Sequence, residues 1–195
     1  MSDKAEMSTE QQVIEGIIRR DEQIIRDFVR LHQNYVYTLC LRILTNEMLA
    51  EEATQDTFLQ VIQSMDKFDG RSRLTTWMYT IARNTSINKL RKTNRSRVKS
   101  LDQTELAQQP HEDNSEKPLL QKQQREQLER CMQKLPIEER ETLTLFYFKE
   151  LSIREIGEIT GDTESNIKVK LHRGRKHLKT ILEASVHGQI DLLYG

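Results

Sequence analysis

Apolar residues recur every three or four positions along most of this chain, and that period is the signature of amphipathic helices. Ile24, Ile25, Phe28, Leu31, Tyr35, Leu39 and Ile43 make one long stripe, the buried face of a single helix. Val13, Ile14, Ile17 and Ile18 form a shorter stripe before it, and Asp21 between them has a side chain suited to capping the longer helix. A further run through Leu49, Ala53, Phe58, Val61, Ile62 and Met65 follows Asn46, another capping residue. The whole chain of 195 residues contains only seven Gly and three Pro, too few for the frequent turns of an all-β protein. The expected class is all-α.

The period breaks at Phe68 to Arg73, which reads as a loop. Thr75 or Thr76 is the expected cap of the next helix, which carries Trp77, Ile81, Thr85, Asn88 and Leu90. These helices define a first small domain over residues 10–98. Residues 99–120 contain Pro110, Pro118, several Gln and acids, and little periodicity, so they read as a flexible linker. A second small domain follows over residues 121–184. In it, Pro136 fits the first position of a helix with Glu138 and Glu139 in its first turn and Leu143, Leu145, Phe146 and Phe148 beyond. Ser152 and Glu155 have capping-box spacing, Ile153, Ile156 and Ile159 follow, and Gly161 suits a left-handed helix end. Asp162 or Thr163 then starts a last helix through Ile167, Leu171, Leu178 and Leu182. Residues 185–195 form a tail whose Ile190, Leu192, Leu193 and Tyr194 either pack on the second domain or meet a partner.

The charges total zero, with 30 basic and 30 acidic residues, but they are segregated. Arg71 to Lys99 holds nine Lys and Arg and no acid; Lys168 to Lys179 holds six, with His172 and His177 interleaved. Such blocks attract phosphate backbones. The second lies within Ser152 to Leu182, where cap, Gly161 and paired apolar positions describe a helix-turn-helix. Its last helix would present Lys168, His172, Arg173, Arg175 and Lys176 to a duplex groove; the bland alternative is a solvated cationic face. The first block joins Gly70 and Ser72 to a helix with Trp77, Tyr79, Asn84 and Asn88, and aromatics and amides among cations suit unpaired bases. For Trp77 and Phe68, core packing competes with base contact. Glu47, Glu51, Glu52, Gln55 and Asp56 form an acidic surface that either serves the helix dipole or meets a basic partner.

Catalysis finds no support. The five His and two Cys lack metal-ligand spacing, and no phosphate-cradling Gly loop is present, so no catalytic residue, metal or cofactor is expected. Cys40 and Cys131 are isolated within helical patterns and read as small buried hydrophobes in a reducing compartment. No apolar run approaches a membrane span and the N-terminus lacks signal-peptide order, so a cytoplasmic protein without membrane insertion is expected.

Three stretches then carry a resemblance: AEEATQDTFLQVIQSMDKF (Ala50 to Phe68), TTWMYTIARNTSINKLRK (Thr75 to Lys92) and LPIEERETLTLFYFKELSIREIGEITGDTESNIKVKLHRGRKHL (Leu135 to Leu178). In this order the chain resembles bacterial RNA polymerase sigma factors of the extracytoplasmic-function type, within the sigma-70 family. The resemblance implies a promoter-specificity subunit that binds core polymerase and recognises two promoter elements. By it, residues 10–98 melt and hold the −10 element. Phe68, Gly70, Arg71, Ser72 and Leu74 resemble a pocket for a flipped-out non-template base, with Trp77, Arg83, Asn84 and Asn88 beside it. Glu52, Gln55 and Asp56 match the helix that docks on core polymerase. Residues 121–184 resemble the reader of duplex −35 DNA, through Ser165, Asn166, Lys168, His172, Arg173, Arg175 and Lys176. The family also implies an anti-sigma partner. Two departures stand out: Gly174 inside the recognition helix, read as close approach to DNA or a tolerated weakness, and Val169 with His172 at positions that set sequence preference. A stand-alone helix-turn-helix regulator leaves Phe68 to Lys92 unexplained, and a protein adaptor predicts little dependence on DNA.

Overall fold

The computed structural model describes residues 2–99, 119–148 and 150–194, and the regular elements among them are all helical. They divide into two compact units, one containing α1–α4 and the other built mainly from α5–α8. Most of the expected linker, residues 100–118, and the side chains of tail residues 186–195 lie outside the described residues. No described helix is long and apolar enough to cross a membrane.

In the first unit, α1 (Ser2–Ile18) is longer than its apolar stripe suggested. It leads through Arg20, in the left-handed region at φ 62, into α2 (Glu22–Leu44). Asp21 caps α2 as expected, its Oδ1 accepting the N–H groups of Gln23 and Ile24 at 2.9 and 3.1 Å. Asn46 does the same for α3 (Glu47–Gln63), accepting the Leu49 N–H at 2.9 Å. A 3₁₀ turn (Met65–Lys67) and a loop lead to α4 (Leu74–Lys99). Phe28, Val36, Leu39 and Ile43 of α2 meet Val61 of α3 and Met78 of α4 in the core. Burying such side chains is worth roughly 1.5–3 kcal/mol each. Ala50, Ala53 and Ala82 are fully buried, and their small volume lets the helix backbones approach. Cys40 is buried among them; burial raises its thiol pKa, against hydrogen bonds with Ser86, Thr54 and Thr57.

One cap was misassigned. Neither Thr75 nor Thr76 starts α4; the helix begins at Leu74, and the Trp77 N–H already bonds the Arg73 carbonyl at 3.1 Å. Thr76 is buried inside the helix. The acceptor for the first N–H comes instead from Glu10 of α1, whose Oε1 lies 2.6 Å from the Leu74 nitrogen.

The second unit contains α5 (Leu119–Gln133), α6 (Ile137–Leu143), most of α7 (Ile153–Thr160) and α8 (Glu164–Tyr194). Pro136 sits at the cap of α6, one position before the expected first helical turn. The helix does not run regularly to Phe148: from Thr144 to Phe148 it widens into a π turn. Buried Arg140 donates from Nη1 to the Gln133 carbonyl at the end of α5, at 2.8 Å. Glu139 is not simply a first-turn carboxylate; it is buried, and its Oε2 lies 2.7 Å from His177 Nδ1 on α8.

Candidate nucleic-acid interfaces

The loop between α3 and α4 is shaped by its own residues. The Phe68 N–H closes the 3₁₀ turn on the Met65 carbonyl at 3.1 Å. Asp69 then accepts the Arg71 N–H at 3.1 Å and pairs with the same residue's Nε at 3.1 Å. Gly70 takes φ 70, which a side chain would disfavour, and no atom lies where its Cβ would be. Buried Leu74 anchors the far end. Phe68 and Trp77 are both half-buried, with ring centroids 5.3 Å apart and planes tilted by 49°. The two rings pack on one another, and neither is fully buried. Asn84 and Asn88 are exposed four residues apart on α4, while Arg83 is half-buried.

The acidic strip on α3 is partly neutralised from within. Lys89 of α4 places Nζ 2.8 Å from Asp56 and 3.1 Å from Glu52. The hydrogen bond to Asp56 raises the ammonium pKa, burial opposes it, and Glu52 adds to the rise. Lys89, counted with the first cationic block, thus faces the carboxylates. Gln55 is exposed and borders an apolar groove lined by Val29, Phe58, Leu59 and Ile62. Leu59 is 56% exposed. Sequence reading passed over this residue, although its phase sets it off the buried stripe of Ala53, Thr57 and Val61.

The helix-turn-helix forms as its caps required. Ser152 Oγ accepts the Glu155 N–H at 3.2 Å and Glu155 Oε2 accepts the Ser152 N–H at 2.9 Å. Gly161 ends α7 at φ 78. Thr163, not Asp162, caps α8, its Oγ1 accepting the Asn166 N–H at 3.3 Å. Ile156, Ile159, Ile167 and Leu171 are all buried. With 3.6 residues per turn, Ser165, Val169, His172 and Lys176 lie along the centre of the opposite face. Lys168 and Arg173 flank them, and all six are exposed. Asn166 and Arg175 stand on the two edges, also exposed.

Two of the cations are engaged elsewhere in this unit. Lys170 points inward, its Nζ 2.7 Å from Asp162 and 2.9 Å from Glu138. Burial lowers its pKa, but hydrogen bonds to the two carboxylates outweigh that and the net shift is upward. Arg175 donates from Nε to Tyr147 Oη at 2.8 Å, with its guanidinium 5.4 Å from that ring's centroid and 5.6 Å from Phe146's. Its π face and one donor are occupied. Gly174 is buried against α6: a Cβ there would lie 3.0 Å from Leu143 Cδ1 and 3.3 Å from Glu139 Cβ. Close approach is the reason for this glycine, and the surface approached is another helix.

Residues 28–96 match the model for Sigma-70 region 2, and residues 125–178 match that for Sigma-70, region 4. The chain is 30% identical over 165 residues to the ECF RNA polymerase sigma factor SigM of Bacillus subtilis, covering 85% of this chain and 99% of SigM. It is 32% identical over 158 residues to the RNA polymerase sigma factor YlaC of the same organism, covering 81% and 89%. Among solved structures, the sigma factor RpoE in complex with the anti-sigma factor NepR from Bartonella quintana shares the fold. Its TM-score is 0.68 at 22% identity, covering 81% of this chain and 96% of that one. CnrH in complex with the cytosolic domain of CnrY gives a TM-score of 0.66 at 15% identity, covering 90% and 97%.

Proposed function

The chain belongs to the sigma-70 family of RNA polymerase sigma factors, in its extracytoplasmic-function branch, and from that premise we propose how its two units share the work of promoter recognition. It is a promoter-specificity subunit, not an enzyme: it brings core RNA polymerase to −35 and −10 elements and promotes melting. Residues 10–98 capture the unpaired non-template strand, and residues 121–184 read the duplex. Phe68, Gly70, Arg71, Ser72 and Leu74 shape the pocket for a flipped base, and Trp77, Arg83, Asn84 and Asn88 extend it along α4. Unstacking a base costs a few kcal/mol, which stacking and edge contacts recover without ATP. Ser165, Asn166, Lys168, His172, Arg173 and Lys176 face the −35 groove, with Arg175 at its edge held by Tyr147. Glu52, Gln55 and Asp56 dock on core polymerase, and Leu59 adds an apolar anchor beside them. The complexes of RpoE with NepR and of CnrH with CnrY support an anti-sigma partner here too. The working compartment is the cytoplasm, where polymerase and promoters meet.

One observation carries this reading: a half-exposed aromatic pair at a glycine-bearing loop and an exposed helix-turn-helix face occur in one chain. A duplex-only regulator needs just the second. The test is transcription from a promoter library by core polymerase with and without this chain. A set of promoters should become dependent on it. A folded protein that binds core yet activates no promoter would overturn the proposal.

A further inference from the structure

Helix α1 precedes residues 28–96, the part matched by the region 2 model, and nothing in that match accounts for it. Together with the turn that follows it, α1 nevertheless touches both ends of the loop assigned above to the unpaired base. At one end, Arg20 Nη1 donates to the Ile62 carbonyl at 3.2 Å. Ile62 lies in the last turn of α3, where carbonyls have no partner within the helix. At the other end, Glu10 Oε1 accepts the Leu74 N–H at 2.6 Å, at the first residue of α4. Arg73 precedes that helix and its side chain has no acceptor, so α4 cannot be capped there locally. The charges match both helix ends: a cation at the C-terminal carbonyls of α3 and a carboxylate at the N-terminal amides of α4.

Helix α1 and its turn are packed in place. Ile17 of α1 is fully buried, and α1 packs on the 3₁₀ turn as well as on α2. The end of α1 is closed by the Asp21 N–H on the Gly16 carbonyl at 2.9 Å and the Arg20 N–H on the Ile17 carbonyl at 3.1 Å. Gly16 is packed against Ile24, whose Cδ1 leaves no room for a Cβ. Between Ile62 and Leu74 lie Phe68, Gly70, Arg71 and Ser72.

Resting on the proposed −10 role of that loop, we infer that α1 and the turn after it brace the loop, with Glu10 and Arg20 as positioning residues for capture of the unpaired base. A loop fixed at both ends needs less ordering when the base arrives, and preorganisation of this kind appears as affinity. Neither residue has to touch DNA.

The test uses full-length chain with core polymerase and a single-stranded non-template oligonucleotide spanning the −10 element of a promoter that this holoenzyme opens. Glu10→Ala and Arg20→Ala should each weaken oligonucleotide binding roughly five- to tenfold, the scale of one lost helix cap. Affinity for core should stay the same, and Glu10→Gln, which keeps an acceptor, should recover part of the loss. Unchanged oligonucleotide binding in these variants, with or without a lower melting temperature, overturns the brace. Asn84→Ala run alongside separates the two readings. If it weakens binding while the Glu10 and Arg20 variants do not, only the brace fails; if none of them does, the single-strand role of the loop fails as well.

Discussion

Lys89 stands in the middle of the first cationic block, but its charge is already committed. It sits between Asp56 and Glu52, with only 20% of its side chain exposed. Those carboxylates are four apart on α3 and would repel each other without it. The Asp56 hydrogen bond, with help from Glu52, raises the lysine pKa over the cost of burial. A raised lysine pKa means stability that is complete below the unfolded value of about 10.4 and is lost as pH climbs through the higher folded value. Lys89→Met should therefore lower unfolding free energy at pH 7 by up to about 1 kcal/mol, since both acids are half-exposed. The gap between wild type and variant should close above roughly pH 10.5. Urea unfolding from pH 7 to pH 11 measures it, and a gap that ignores pH would refute the pairing. Sequence reading counted Lys89 as available to DNA because composition records charge and not direction. Lys170, by contrast, was left off the groove-facing set by helical phase alone, and it is the one held by Asp162 and Glu138.

At the scale of elements, what was legible in advance was local. Asp21, Asn46 and the Ser152–Glu155 box act on amides within three residues, so a short window contains both partners. The cap of α4 was missed because its acceptor is 64 residues away in the chain. The π turn at Thr144 to Phe148 was missed as well, since its apolar residues also fit a regular helix. Gly174 was seen as an anomaly, but its reason required the position of α6. With Leu143 and Glu139 against its Cα, Gly174→Leu should overpack the α6–α8 contact at a cost of roughly 1–3 kcal/mol. Better helix propensity offsets about 1 kcal/mol of this. The expected outcome is a lower unfolding midpoint for the second unit, followed by hydrogen exchange in α6 and α8. The folded fraction should keep its affinity for −35 duplex. A large loss of duplex affinity at unchanged stability would instead place Gly174 against DNA.

For the whole molecule, the neutral total conceals which cations are left for nucleic acid. In the second block, Lys170 is held by Asp162 and Glu138, and Arg175 is stacked on Tyr147 and Phe146. Lys168, Arg173, Lys176 and Lys179 remain exposed on the outer face of α8. Helical phase makes this division, so it follows from the buried stripe of Ile167, Leu171 and Gly174 once that stripe is known to face inward. The consequence is measurable as salt dependence, because each phosphate neutralised by a protein cation releases condensed counterions. In holoenzyme binding to a promoter over a range of salt, Lys176→Ala should reduce the slope of log K against log salt by about 0.9. Lys170→Ala should leave that slope unchanged and lower stability instead, since it strips Asp162 and Glu138 of their shared partner. Equal slope changes for the two variants would mean that Lys170 leaves its carboxylates for the phosphate backbone. The inward and outward faces of α8 would then not be the divide between folding and DNA binding.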